Sequence, residues 1–513
     1  TTDGLQKIDL DLSKFYLKNT NAFEHNQGEH NAYLLYTSGT TGNPKGILMG
    51  TASLAHMLEW QNAQTALKSN SITLQFSPLG FDVHFQEIFS TWSMGGELVL
   101  ISEEDKRNPT FLLKLIEQKK INRIHMPYVA LKSLCETANR LNVYPQSIRE
   151  ITAGGEQLKI NNTLRTFFAK IPNCVLFNQY GPTETHLATT NRLGSLAEGH
   201  DPELWPDLPS IGYPVGNYKL LILDEKMQPL AVGETGELYI GGVCVAYGYL
   251  HAPELTAERF LQHKEFGLIY KTGDLCKYNS DGQITFYGRV DTQVKVRGYR
   301  VEISEVETAV NKCVGVTQCM VKLHTDDNGA VLCAYILAQN NFNIEFVKNE
   351  ISMSLPEYMV PSLYVLIDKL PVTPSGKLDY KSLPSPFAQR PILSVEFVAC
   401  STVIEKQIEN IWKRYLQIEK VGLYDSFFDL GGHSLLLVKV LLDLNETFHS
   451  SLGTSTDSAL SLADLFTALN ISQLAELISA KSEKQKKIQF VENEKKIHSV
   501  SEALSSKISN HDI

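Results

Sequence analysis

The sequence predicts an α/β body, a smaller α+β unit after it, and an all-helical domain towards the end. Three observations carry that division. Residues 31 to about 290 alternate β-type runs with helical ones. Residues 292–383 read as strands around a short helix, and residues 401–480 show helical spacing throughout. At 513 residues the chain is also too long for one compact core.

The elements follow in order. "AYLLY" reads as a strand, "TFLLKLIEQKK" (110–120) as a helix, and "KLLILD" (219–224) and "GELYIGG" (236–242) as strands. In the second unit "QCMVKLH" and "VLCAYILA" are strands. "SEVETAVNKC" is its helix, with Ser304 as N-cap and Glu307 completing a capping box. "LPSPFAQRP" (383–391) carries three prolines and reads as a semi-rigid linker. Thr402 and Glu405 cap a further helix whose apolar face is Ile404, Ile408, Ile411, Trp412 and Tyr415. After about residue 481 the composition turns to Lys, Glu, Ser and Asn, which reads as a disordered tail or linker.

Bulk properties narrow the function classes. A net charge of −10 argues against nucleic acid, whose phosphates demand a basic face. No apolar run reaches the ~20 residues of a membrane span. "SLLLVKVLLDL" comes nearest, and Lys439 and Asp443 interrupt it. The opening "TTDGLQKIDL" has no leader pattern, and the eight cysteines show neither a CxxC pair nor metal spacing. A cytoplasmic protein with reduced thiols is expected.

"YTSGTTGNPKG" (36–46) is built to hold phosphate. Gly39, Gly42 and Gly46 permit backbone N–H groups to converge on an anion. Thr37, Ser38, Thr40 and Thr41 add hydroxyls, and Lys45 adds a charge. The spacing is not that of the common nucleotide loop, since Pro44 and Gly46 break it. Four more segments join it: "NQYGPTETH" (178–186), "YKTGDL" (270–275), "GRVDTQVKVRGYRVE" (288–302) and "PVTPSGKLDY" (371–380).

Five such segments in this order resemble the adenylate-forming superfamily, and more closely the adenylation domains of nonribosomal peptide synthetases. "FFDLGGHSLLLVKVL" (427–441) resembles the attachment site of a peptidyl carrier domain. The resemblance implies a large adenylation subdomain over 1–290, a small one over 291–385, a linker over 386–400, a four-helix carrier over 401–480 and a tail over 481–513. Family members carry a substantial stretch before the phosphate loop. Only 35 residues precede Tyr36 here, so the large subdomain is expected to lack its N-terminal part.

The family reaction joins a carboxylate to ATP, releases pyrophosphate, and passes the acyl group to a thiol. The resemblance then gives the phosphate loop the β- and γ-phosphates. It makes Glu184 the Mg²⁺ ligand, and lets Thr183 donate to the α-phosphate. Asp274 takes the ribose diol, Tyr180 stacks on adenine, and Asn178 reads its exocyclic amine. Asp291 is the hinge between subdomains, with Arg289 at the ribose or hinge. Lys377 bridges the substrate carboxylate and the α-phosphate. Ser434 carries 4′-phosphopantetheine at a helix start, where a phosphate ester gains from the helix N-terminus. An ordinary N-cap serine is the alternative, and His433 belongs to the recognition loop.

The family's pocket positions fall on Asp82, Val83, Gln86, His125, Ile151, Ala153, Gln179, Leu187, Ala188 and Lys377. Asp82 pairs the α-ammonium, which implies an amino acid. The set looks most like proline-activating pockets. His125 and Gln179 depart from that pattern and leave a small polar side chain open. The implied partners are the amino acid, a phosphopantetheinyl transferase, and upstream and downstream synthetase domains, with no nucleic acid and no membrane. The competing readings are a stand-alone acyl-CoA ligase and a non-catalytic fragment that serves only as a carrier.

Overall fold

The computed structural model describes residues 30–485 apart from 39–43, 66, 68–70, 292, 297, 327–328, 341, 370, 372–378, 380–381, 388–389, 392 and 450–458. Gly39, Thr40, Thr41, Gly42, Lys377 and the segment 486–513 lie outside the described residues.

A seven-stranded sheet organises the first body. In spatial order its strands are Glu97–Leu100, Ile72–Gln75, Arg123–Pro127, Glu150–Gly154, Val175–Tyr180, Thr189–Leu193 and Tyr213–Pro214. The first five run parallel, and the last two turn antiparallel. The parallel strands alternate apolar residues, which pack under the covering helices, with polar ones such as Thr73, Arg123, His125 and Thr152. Leu74, Ile124, Ile151 and Leu176 are fully buried against Leu113, Leu131, Leu134 and Phe167 of the covering helices. A parallel sheet of this kind offers ligands the crevice at the carboxyl ends of its strands. A second, antiparallel sheet contains Lys219–Leu223, Thr235–Gly241, Gly267–Tyr278, Phe260–His263 and Ile284–Arg289. Its core is shared with the paired strands Asn31–Thr37 and Lys45–Gly50, which flank the phosphate-loop segment.

The second unit pairs Val316–Asp326, Gly329–Ala338 and Leu363–Leu366, with helices Ile303–Asn311 and Ile344–Ser354. Its helix start differs from the sequence reading. The N-cap is Glu302, with no side-chain cap bond, and Ser304 falls inside the first turn. The Glu302 carboxylate is engaged elsewhere, accepting from Gln293 Nε2 at 2.5 Å and facing Lys45 at 3.5 Å. A short hairpin, Val294–Val296 paired with Tyr299–Val301, leads into this unit.

Helices Val403–Leu416, Ser434–Thr447, Leu462–Thr467 and 471–485 form the last domain around Trp412, Phe427, Leu430 and Ile471. The Thr402–Glu405 capping box is present, and Ile408, Ile411 and Trp412 are buried as the spacing predicts. The final helix runs to 485, past the expected start of a tail at 481. Lys481 holds that turn by reaching Ala459 O at 2.9 Å and Asp464 at 3.0 Å. The linker is fastened at both ends. Tyr335 donates to Pro384 O at 2.8 Å, and Arg390 grips the fully buried Asp425 at 2.6 and 2.8 Å.

Candidate active site

A cavity of about 240 Å³ opens at the carboxyl ends of the parallel strands. Helix Val83–Ser93 forms one wall. Asp82 is its N-cap, yet its side chain makes no capping bond. Among the described residues that carboxylate has no hydrogen-bond or ion-pair partner, and it faces the cavity. The helix is fixed from behind by Glu87. This buried carboxylate accepts from the backbone N–H groups of Phe76 and Ser77 at 3.0 Å each. Burial pushes the Glu87 pKa up to about 7 against those bonds.

The cavity brings together Asp82, Val83, Gln86, His125, Gln179 and Leu187 of the expected pocket set. It does not bring in Ile151, Ala153 or Ala188. Strand alternation is the reason for the first two. Ile151 and Ala153 join the hydrophobic core, while Thr152 and Gly154 of the same strand line the cavity. Ala188 is buried in the core of the antiparallel sheet.

Next to the cavity lies the turn after strand Val175–Tyr180. A side chain on Gly181 would stand 1.6 Å from His186 O, so only glycine allows the chain to fold back here. The turn leaves Thr183 half-buried and Glu184 fully buried. Tyr180 donates to Asp274 Oδ2 at 2.5 Å, and Arg289 reaches Asp274 Oδ1 at 2.5 Å. Arg289 also pairs Asp291 at 2.6 and 2.8 Å, so the expected ribose carboxylate and the expected hinge are tied by one guanidinium. Burial alone would raise the Asp291 pKa, but those bonds to Arg289 hold it below the usual carboxylate range. The Lys295 ammonium lies 5.9 Å from the centre of the Tyr180 ring. Asn178 donates to Ser210 O at 2.8 Å.

The hairpin of the second unit closes over the site. Gly298 N donates to Glu156 at 2.7 Å, and Tyr299 packs edge-on against Phe81 at 4.8 Å. Arg300 places one nitrogen 2.8 and 3.1 Å from the two oxygens of Glu184, and Tyr249 adds a hydroxyl at 2.7 Å. Burial would raise the Glu184 pKa, but Arg300 and then Tyr249 hold it below its ordinary value. Ser38 donates to Arg300 O at 2.9 Å, and Thr37 Oγ1 is buried without a partner among the described residues. Lys45 is buried beneath the Tyr249 ring. Desolvation, then the nearby Arg300, lower its pKa.

Glu184 has the chemistry of an Mg²⁺ ligand, since a hard cation takes oxygen. Both its oxygens face Arg300 here. No cluster of three or more metal-ligating side chains occurs among the described residues.

The last domain touches both units. Arg140 pairs Asp443 at 2.8 Å and Glu446 at 2.5 Å, and Lys439 pairs Glu136 at 2.9 Å. Lys348 pairs Asp429 at 2.7 Å. Ser434 is the first residue of its helix, and the N-cap is His433, whose ring accepts from Leu436 N at 3.3 Å.

Models of three known families match along the chain. They are AMP-binding enzyme over residues 3–250, AMP-binding enzyme C-terminal domain over 305–377, and phosphopantetheine attachment site over 406–478. The chain belongs to the adenylate-forming enzymes. Its adenylation and carrier domains are of the nonribosomal peptide synthetase kind. Gramicidin S synthase 2 of Brevibacillus brevis is 37% identical over 424 residues, 82% of this chain and 9% of that protein. Tyrocidine synthase 2 of Brevibacillus parabrevis is 37% identical over 420 residues, 81% of this chain and 12% of that protein. The chain thus spans about a tenth of the length of these curated relatives. Holo-PA1221, an NRPS protein containing adenylation and PCP domains, has the same fold. Its TM-score is 0.72 at 24% identity, covering 88% of this chain and 73% of that one.

Sequence reasoning did not single out Arg300, Glu156, Gln61 or Arg123. Arg300 lies in a segment noted for its alternation of charge, but nothing local shows that it meets Glu184, 116 positions away. Gln61 and Arg123 carry no local signal.

Proposed function

We propose that this chain activates an amino acid with ATP and loads it on its own carrier domain. The observation that carries this reading is the unpartnered Asp82 carboxylate at the cavity wall. It sits where an α-ammonium would find its counter-charge in a dry pocket. The substrate carboxylate oxygen attacks the α-phosphorus of ATP, the bond to the bridging oxygen breaks, and pyrophosphate leaves. Positioning and electrostatics dominate such a step. The loop 37–46, Thr183, Asp274, Tyr180, Asn178 and Arg289 hold the nucleotide, and Lys377 meets the growing charge. Mg²⁺ supplies charge neutralisation on the phosphate oxygens, with Glu184 as its protein ligand. Phosphopantetheine on Ser434, added by a phosphopantetheinyl transferase, supplies the accepting thiol.

The two half-reactions use two faces of the small subdomain, pivoting at Asp291. The hairpin contact through Gly298, Tyr299 and Arg300 serves the loading step. The carrier's pairs Arg140–Asp443 and Lys439–Glu136 support this assignment, because they hold the helix of Ser434 against the same body. An acyl-CoA ligase would need neither Asp82 nor a carrier with its own core. A carrier-only role leaves the large sheet and its cavity without a purpose. We place the protein in the cytoplasm, beside neighbouring synthetase domains; no described helix is long and apolar enough to cross a membrane. For the side chain, the pocket motif favours proline, with Val83 and Leu187 as apolar walls. His125 and Gln179 stand outside that motif and decide between proline and a polar group.

The test uses the full-length protein, phosphopantetheinylated, with ATP, Mg²⁺ and an amino-acid mixture. Intact mass should show an aminoacyl increment on the Ser434 peptide. An arm that stays unacylated with every amino acid contradicts the reading.

A further inference from the structure

We infer that the side-chain end of the amino-acid pocket is built for a primary carboxamide, as in glutamine or asparagine. This rests on the amino-acid reading of the cavity. Gln86 Nε2 donates to Gln179 Oε1 and to Gln61 Oε1, each at 3.2 Å. Gln61 Nε2 in turn reaches Ser90 Oγ at 3.4 Å. These bonds leave Gln86 Oε1 and Gln179 Nε2 without a partner among the described residues. Turning the Gln86–Gln179 pair over would set Gln86 Oε1 against Gln61 Oε1, two acceptors, so the network fixes which amide atoms are left free.

His125 adds a second pair. It is 1% exposed, it lines the cavity, and neither ring nitrogen has a partner among the described residues. Burial, then the charge of Arg123, take its pKa down to about 3, so the ring is neutral and offers one donor and one acceptor. The Thr152 hydroxyl belongs to the same wall. A space of about 20 Å³ behind His125 continues the polar floor through Gln61, Thr65, Arg123 and Glu150.

The floor is polar but carries no spare charge. Arg123 donates to Glu150 at 3.1 Å and to Thr65 at 2.7 Å, so its charge is matched. Glu103, Lys106 and Arg107 also line the cavity, but at the His125 floor, where Arg123 is matched by Glu150, a charged substrate side chain would find no free counter-ion. Proline or an aliphatic chain would cover two donors and two acceptors and satisfy none. A carboxamide has two N–H donors and a carbonyl acceptor in one plane, the complement of the two glutamines and the imidazole. Sites built to hydrogen-bond a substrate reject analogues that lack the group far more strongly than apolar pockets reject a missing methylene.

The test is amino-acid-dependent pyrophosphate exchange by the full-length protein. The panel is glutamine, asparagine, serine, proline, leucine, methionine, glutamate and lysine. One carboxamide amino acid should exceed leucine and proline in kcat/KM by about a hundredfold. In His125→Leu the glutamine-to-leucine ratio should fall at least about tenfold. Calorimetry of the unaltered protein with glutaminyl- and leucyl-sulfamoyl adenosine reads the same preference as binding, whether or not the variant folds. Preference for any side chain without a carboxamide overturns the inference and leaves amino-acid activation standing. Exchange with no amino acid overturns both.

Discussion

Replacing Arg300 by alanine separates the two half-reactions most sharply. Glu184 is fully buried, and its two oxygens face one Arg300 nitrogen at 2.8 and 3.1 Å. Breaking a buried ion pair by removing one partner costs about 3–5 kcal/mol, because the remaining charge is uncompensated. Arg300 belongs to the hairpin and Glu184 to the large subdomain, so the chain has an escape. The hairpin can leave, and water or a cation can reach Glu184. The penalty therefore appears as a shift in hairpin docking, not as unfolding. At 1.4 kcal/mol per decade, docking should weaken by roughly two to three and a half orders of magnitude. Loading of the carrier arm from preformed aminoacyl-adenylate should slow by about a hundredfold or more. Pyrophosphate exchange, which in the proposed mechanism uses the other face of the small subdomain, should change less than about tenfold. Stopped reactions analysed by intact mass give the first rate, and labelled pyrophosphate gives the second. Equal losses in both, or no loss in loading, would show that the Arg300–Glu184 pair does not govern the loading arrangement.

Further outcomes follow from other contacts. Glu184 has a lowered native pKa, so it adds to hairpin docking above its ordinary range, near pH 4.3. That contribution is lost only as the pH falls through the lowered value. With the intrinsic pH dependence of exchange divided out, the protection factors of the amides at 294–296 and 298–301 should thus hold from neutrality to about pH 5 and fall only at lower pH; a fall already between pH 6 and 7 contradicts the assignment. Asp425→Ala removes the buried carboxylate that accepts from the partly exposed Arg390 and from Gly422 N, and should lower carrier stability by about 1–3 kcal/mol, read by denaturant melts of the full chain. Arg140→Glu should slow carrier loading, and Asp443→Arg with Glu446→Lys should restore it; failure of that restoration means these pairs do not guide docking. A phosphopantetheinyl transferase with CoA should add one pantetheine mass to the chain and none to Ser434→Ala.

Much of the fold is legible because it is local. The strand at 31–37, the helix at 109–119 and the Thr402–Glu405 capping box all follow from residue types within a few positions of one another. The cavity wall is legible from "FDVHFQEIF", since helical spacing sets Asp82, Val83 and Gln86 on one side. What the sequence hides is contact across distance. The pocket parity of Ile151 and Ala153 depends on which face of the sheet the helices cover. Ser304 looks like a cap because it precedes an acidic helix start, but Glu302 takes that position while its carboxylate bonds Gln293. The Gln61–Gln86–Gln179 chain joins three segments that no short motif links.

The central claim is that Asp82 selects an α-amino acid for adenylation. It is tested most directly by pyrophosphate exchange with the preferred amino acid beside the same acid lacking its α-amino group. Asp82→Ala is run in parallel. The account predicts exchange that depends on the amino group, with the des-amino acid and the Asp82→Ala enzyme each reduced at least about a hundredfold, as the loss of a charge partner in a dry pocket requires. Comparable exchange with the des-amino acid, or an Asp82→Ala enzyme that retains its rate, would contradict it.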